Sequence, residues 1–229
     1  MPIRILDGGP PAPAHLLDAV RGVELPTLGH FLEVGFADPA IRRVAGDERL
    51  LGRAVTVRVV APDSALVHRA TEMLEPGDVL VIDIGGDRVH APVGGVVGAA
   101  VAARGAAGIV IDGPATDLAA LAELPLTVFA RGSSALTTKL HALDAGGINV
   151  PVVIGGVAVL PGYVVIGDAD GLLLAEPSEV EAVVERARRS DDAEPARLER
   201  LRSGELLTQV SAAGERLARV LEPDTGSGG

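Results

Sequence analysis

The amino-acid sequence predicts an α/β fold in which a largely parallel sheet carries some antiparallel pieces. Three observations carry that prediction. Strand-like and helix-like segments alternate between residues 52 and 132, the pattern of successive βα units. Two strand candidates, residues 79–84 and 108–112, are nearly unbroken runs of Val, Ile and Leu, as expected of strands covered on both faces. Hydrophobic residues make up 48% of the 229-residue chain and aromatic residues only 2%, so one sizeable core must be packed from Val, Leu, Ile and Ala.

In chain order, residues 1–14 are rich in Pro and Gly and read as irregular. Residues 15–22 and 27–34 read as short helices, with Pro26 and Gly35 as punctuation, and 40–44 as one more helical turn. Residues 52–61 alternate Val55, Val57 and Val59 against Thr56 and Arg58, which predicts a strand with one buried face. Pro62-Asp63-Ser64 caps a helix over 65–74, and Glu75-Pro76-Gly77-Asp78 makes the turn into the strand 79–84. After the loop at Gly85-Gly86-Asp87 come a glycine turn, a small-residue helix over 96–104, the strand 108–112, a polar turn, a second helix and a second strand. Residues 132–147 are small and polar and read as a loop.

Residues 149–159 read as strands bent at Gly155-Gly156, and 164–168 and 172–175 as strands joined by a tight turn at Asp170-Gly171. Pro177-Ser178-Glu179 opens a helix to about residue 189. A charged helical stretch over 191–202 is expected to break at Pro195 and Gly204. A last helix covers 205–221, and D-T-G-S-G-G at 224–229 reads as a disordered tail. Residues 1–207 are expected to form one α/β domain with N-terminal helices, and residues 208–229 a C-terminal helix and tail.

Charge and composition narrow the function. A net charge of −11 argues against a nucleic-acid partner, which demands a clustered positive surface. The absence of cysteine removes disulfides, thiolate metal sites and thiol nucleophiles. No apolar run approaches the ~18 residues of a membrane span, and the opening M-P-I-R-I-L-D lacks a signal-peptide pattern. The expectation is a cytoplasmic protein that engages neither membrane nor nucleic acid.

Chemistry concentrates between residues 91 and 132. Gly94 and Gly95 let backbone N–H groups converge at the start of the helix formed by Val96, Val97 and their successors, where partial positive charge and free donors suit a carboxylate or phosphate. Asp117 follows the strand 108–112, at the strand end where open α/β sheets place their sites. Two readings of Asp117 stand together, as a ligand-binding carboxylate and as the N-cap of the next helix. Arg131 ends the following strand, and His90, next to the glycine turn, is a candidate acid or base.

Seven collinear segments over roughly residues 25–205 resemble the RraA-like family, which includes the class II 4-hydroxy-4-methyl-2-oxoglutarate / 4-carboxy-4-hydroxy-2-oxoadipate aldolases. They are G-R-A-V-T-V (52–57), E-P-G-D-V-L-V-I-D (75–83), A-P-V-G-G-V-V-G (91–98), R-G-A-A-G-I-V-I-D-G-P-A-T-D (104–117), P-L-T-V-F-A-R-G (125–132), N-V-P-V-V-I-G-G-V-A-V-L-P-G (149–162) and G-D-A-D-G-L-L-L-A-E-P (167–177). The resemblance implies a β/β/α sandwich of the swivelling-domain type, assembled as a homotrimer or hexamer with its site between subunits. It implies retro-aldol cleavage or decarboxylation of a small 2-keto acid, with Mg²⁺ or Mn²⁺ stabilising a pyruvate enolate. Carried onto this sequence, Asp117 takes the metal-ligand position and Glu194 that of a glutamate donated by the adjacent subunit. Gly94, Gly95, Val96 and Val97 form the substrate-carboxylate cradle.

Two family side chains are missing. Thr116 stands where the family has an arginine beside Asp117, and Gly95 where it has Glu or Asp. A hydroxyl supplies neither the charge nor the fork of a guanidinium, so Arg131 becomes the candidate replacement. The single lysine of the chain, Lys139, lies in the polar loop, which disfavours a Schiff-base route. The same two losses open an alternative: a non-catalytic relative that binds a protein partner, in the manner of family members that inhibit the endoribonuclease RNase E.

Overall fold

The computed structural model describes residues 2–221. The chain begins with β1 (Arg4–Ile5), α1 (Ala14–Val20), α2 (Leu25–Gly29), β2 (Arg42–Ala45) and β3 (Leu50–Arg58). It continues through α3 (Ala65–Thr71), β4 (Asp78–Asp83), α4 (Gly95–Ala103), β5 (Gly108–Ile111), α5 (Leu118–Ala122) and β6 (Thr127–Ala130). The second half holds β7 (Gly147–Ile148), β8 (Val152–Ile154), β9 (Val157–Val159), β10 (Val164–Gly167), β11 (Leu172–Ala175), α6 (Pro177–Arg202), α7 (Leu207–Val210) and α8 (Ala213–Leu221).

The large sheet runs β1-β7-β3-β4-β5-β6-β2, with β3 to β6 mutually parallel. β3 is long enough to serve two neighbours along one edge. Leu50–Arg53 pairs antiparallel with β10, while Val57–Arg58 pairs with β7. β10 and β11 thereby form a second β layer, and the architecture is the β/β/α sandwich that the family resemblance implies. Side chains alternate between two cores. Leu80, Ile82, Ile109, Ile111 and Val128 pack against α3, α4 and α5. Val79, Val81, Val110 and Phe129 face β8, β9, β10 and β11. A third cluster joins α1, α2 and α6 to the far face of β10 and β11 through Leu16, Val20, Val180 and Val184.

Five expectations are corrected. Residues 42–45 form an edge strand rather than a helical turn: one turn gains little by itself, whereas Arg42 and Arg43 pair with Ala130 and Phe129 of β6. β3 is buried on both faces in its second half, because β/β packing covers Thr56 as well as Val55 and Val57; the Thr56 hydroxyl donates to the Val150 carbonyl at 2.6 Å. α6 runs unbroken through Pro195. It is pinned on the N-terminal side of the proline, where the Asp191 carboxylate accepts the Glu24 N–H at 2.9 Å and the Thr27 hydroxyl. Beyond it, Arg197 Nη2 donates to the Ser190 carbonyl at 2.7 Å. The C-terminal helix is two pieces, α7 and α8, and the irregular N-terminus contributes β1, which adds to β7. The expected tail at 224–229 lies outside the described residues. Among the described residues, no helix is long and apolar enough to cross a membrane.

One ion pair locks the start of the parallel sheet. Arg53 forks onto Asp78, Nε to Oδ1 and Nη2 to Oδ2, both at 2.8 Å, with the Asp78 side chain only 5% exposed. Removing one partner strands the other charge in a nearly dry setting. Asp78→Ala is therefore expected to lower unfolding free energy by about 3–5 kcal/mol. Urea denaturation measures it, and a loss under about 1 kcal/mol would place the pair among weak surface bridges.

Candidate functional site

Parallel strands deliver their C-terminal ends to one edge of the sheet, and the glycine turn and Asp117 meet there. α4 begins at Gly95 with Gly94 as its N-cap; α5 begins at Leu118 with Asp117 as its N-cap. The two helices pack closely because Gly98 has no side chain; a Cβ there would strike Leu121. The Thr116 N–H bonds the Val93 carbonyl at 2.9 Å, tying the two turns together. Asp117 adopts the left-handed conformation, φ 53° and ψ 41°, at a cost of about 1–2 kcal/mol that Asp and Asn tolerate best. That twist turns its carboxylate onto the glycine turn, where Oδ2 accepts the Gly95 N–H at 3.2 Å across 22 residues.

Gly94 makes this approach possible. A Cβ on it would lie 2.5 Å from Asp117 Oδ2 and 2.7 Å from the Thr116 methyl. Of the two readings of Asp117, the N-cap one holds only for the backbone: its carbonyl accepts the Leu121 N–H, but its side chain bonds no amide of α5. The carboxylate caps the neighbouring helix instead. The first-turn N–H groups of Val96 and Val97 have no partner among the described residues, and Val96 is largely exposed. Asp117 Oδ1 has only the Thr116 hydroxyl near it, at 3.5 Å.

A single carboxylate with one open oxygen fits a hard cation that keeps most of its waters. Among the described residues no three His, Cys, Asp or Glu side chains gather at metal distance. Glu194 is not near Asp117 within one chain. It sits on exposed α6, in the α1/α2/α6 layer, with the β layers between.

Arg131 does not replace the missing arginine. On β5 and β6, Ile111 and Ala130 face the α4/α5 side, so the next residues, Asp112 and Arg131, face the opposite layer. Arg131 Nε bonds Asp112 Oδ1 at 2.5 Å and Nη1 bonds Asp38 Oδ2 at 2.6 Å. Arg88 Nη1 adds bonds to the Asp112 carbonyl and Oδ1, and Asp112 Oδ2 accepts the Gly155 N–H at 2.8 Å. This network clamps the 36–41 loop and the β8–β9 turn to the sheet. Burial alone would raise the Asp112 carboxyl, but the Arg131 bond, the Gly155 N–H and the Arg88 charge hold it below the usual range. Strand parity was the available signal for Asp112; nothing local marks Asp38 or Arg88.

His90 is fixed rather than free. Asp87 Oδ2 meets its Nδ1 at 2.9 Å, and Oδ1 accepts the N–H groups of Val89 and His90 at 2.7 and 2.8 Å. Those bonds, the His90 N–H foremost, lower the Asp87 carboxyl to about 2. Lys139 is exposed, with Nζ on the Thr137 carbonyl at 3.4 Å, and contacts neither the glycine turn nor Asp117.

Fold and site together define an α/β sandwich protein with a glycine turn at a helix start and the Asp117 carboxylate beside it at the strand C-termini. The chain belongs to the RraA-like family, Aldolase/RraA, whose profile matches residues 14–174. A Halalkalibacterium halodurans protein provisionally assigned as a 4-hydroxy-4-methyl-2-oxoglutarate aldolase is 34% identical over 157 residues, 69% of this chain and 74% of its own length. The 4-hydroxy-4-methyl-2-oxoglutarate aldolase of Thermus thermophilus is 38% identical over 130 residues, 56% of this chain and 77% of its own. The solved structure of the RNA-processing inhibitor RraA from the same organism superposes with a TM-score of 0.61 at 32% identity, covering 67% of this chain and 92% of that one.

The depressed carboxyls give a pH dependence. Their folded pKa values lie below the unfolded value of about 3.9, so ionisation favours the native state above that pH. For Asp87 the contribution fades as pH falls from about 4 to about 2. Asp87→Asn should start less stable at pH 6 and lose stability less steeply on acidification. Urea midpoints at pH 6, 4 and 3 check this; parallel curves for the two proteins would refute it.

Proposed function

We propose that the protein is a divalent-metal-dependent lyase acting on a small 2-keto acid, by retro-aldol cleavage, by oxaloacetate-type decarboxylation or by both. The observation that carries this reading is the pairing of Asp117 with the amides of the α4 first turn at one open surface. In it, Asp117 would hold Mg²⁺ or Mn²⁺, its carboxylate oriented by the Gly95 N–H on Oδ2. The ion would supply Lewis-acid stabilisation of the negative charge that develops on the keto oxygen as the C–C bond breaks. The Val96 and Val97 N–H groups receive the substrate carboxylate, aided by the positive end of α4. The Thr116 hydroxyl offers a neutral hydrogen bond where the family places a full charge, so slow turnover is expected.

Asp117 is exposed in the single chain, and among the described residues it belongs to no group of three metal-ligating side chains. A homotrimer or hexamer that sets a neighbour's Glu194 over this surface would complete the donor set and exclude water. The second reading is a partner-binding protein of the RraA type. Two observations favour it: Arg131 faces away from Asp117, and Gly95 contributes no acid.

Oxaloacetate decarboxylation, followed by pyruvate release with Mg²⁺, with Mn²⁺ and with chelator, separates the two. Metal-dependent turnover should fall on the order of a hundred-fold or more in Asp117→Ala. Gly94→Ala should produce a similar loss with the fold intact, because its methyl displaces the Asp117 carboxylate. Absence of turnover in the wild type, with no metal bound and an intact oligomer by light scattering, would instead support partner binding.

A further inference from the structure

One corner of the sheet, at the C-terminal end of β3, carries two arginines that the fold leaves unused. Gly147 of β7 is in register with Arg4 of β1 on one side and with Arg58 of β3 on the other. Residues in register across a sheet present their side chains on the same face. Val57 and Ile148 belong to the core beneath α3, α4 and α5. Arg58 and Gly147, one step along each strand, therefore face the opposite layer, and Arg4 faces it with them. Two strand spacings, roughly 10 Å, separate the backbones of the two arginines, and the residue between them has no side chain. Val150 packs over that glycine; a Cβ on Gly147 would lie 2.8 Å from Val150 Cγ1.

A cleft of about 370 Å³ opens between the arginines, lined by Pro2, Arg4, Arg58, Val60, Val150 and Pro151. Among the described residues no acid lines it, and both arginines are exposed. Neither guanidinium makes a hydrogen bond or ion pair with the described residues. The acids of the adjoining segments are turned to backbone amides instead. Asp83, in register with Arg58, accepts the Gly85 N–H at 2.7 Å and the Val153 N–H at 3.2 Å. Asp144 accepts the Ile3 N–H at 3.0 Å. A chain of net charge −11 thus keeps a pair of uncommitted positive charges beside an apolar floor. The family profile begins at residue 14, so β1 and Arg4 lie outside it.

We propose that this corner is a second binding site, for a small amphiphilic oxyanion: a carboxylate or phosphate-monoester head on a short apolar chain. The head bridges Arg4 and Arg58, and the chain lies on Val60, Val150 and Pro151. Charge selects the head, because each guanidinium presents a fork of donors that matches an oxyanion. The apolar lining selects the chain, and a volume near the lower end of small-molecule sites keeps it short. The cleft lies on the face of the sheet opposite Asp117, so the site is separate from the lyase chemistry and stands whether or not that chemistry is present.

The test titrates the full chain with octanoate and, separately, with octyl phosphate, followed by NMR at the amides of Ala145 and Gly146, which also line the cleft. Octanol supplies the chain without the charge, and acetate the charge without the chain. Saturable shifts are expected with one or both amphiphiles, and the tighter of the two names the head group. Octanol and acetate should each bind about ten-fold or more weakly, and Arg4→Gln and Arg58→Gln should each weaken binding by about as much. Both variants should melt at the wild-type temperature, since the side chains they replace are exposed. Asp117→Ala should titrate like the wild type. Should a variant melt early, salt decides the matter on the wild type: affinity for octanoate must fall as NaCl is raised. Absence of a saturable shift, octanol or acetate binding as tightly as octanoate, salt-independent affinity, or undiminished binding in both arginine variants would each overturn the proposal.

Discussion

The Asp117 carboxylate reaches the first turn of α4 only because Gly94 lacks a side chain. The rest of the candidate site depends on that close approach. It requires the α4 backbone to pack directly on the Leu121 and Leu124 side chains, which Gly98 permits, and it requires Asp117 to hold a left-handed backbone. One hydrogen bond, from the Gly95 N–H, then orients a charged group over the positive end of a helix. The same bond leaves the Val96 and Val97 amides and the second carboxylate oxygen open. Ligand-binding potential arises here from a partly satisfied helix end.

Charge on the two faces of the sheet is handled differently. On the α4/α5 face, the candidate site carries one acid and no guanidinium. On the other face, Asp112, Arg131, Arg88 and Asp38 neutralise one another and bind the β8–β9 turn to the sheet. Strand alternation makes this division, since residues one step apart at the ends of β5 and β6 leave in opposite directions. The positive charge that the family resemblance demands beside Asp117 is therefore present in the sequence nearby but absent from the site. That separation is why a slow lyase and a partner-binding protein both remain readings of one architecture.

Local pattern made much of the fold legible. The continuous apolar runs gave β4 and β5, the glycine turn gave the start of α4, and Asp170-Gly171 gave the β10–β11 turn. Errors fell where a distant partner decides the outcome. Arg42 and Arg43 form a strand because β6 offers an edge, Thr56 is buried because a second β layer covers it, and α6 passes Pro195 because α2 holds Asp191.

The sequence by itself determined the α/β class, the family, the place of the glycine turn and the identity of the residues around Asp117. These follow from periodicity, glycine placement and residue order, all of which are local. Only the tertiary structure decided that Asp117 caps the neighbouring helix, that Arg131 faces away and that Glu194 lies in another layer. Such facts depend on the direction in which side chains leave elements far apart in the chain, and packing alone fixes those directions.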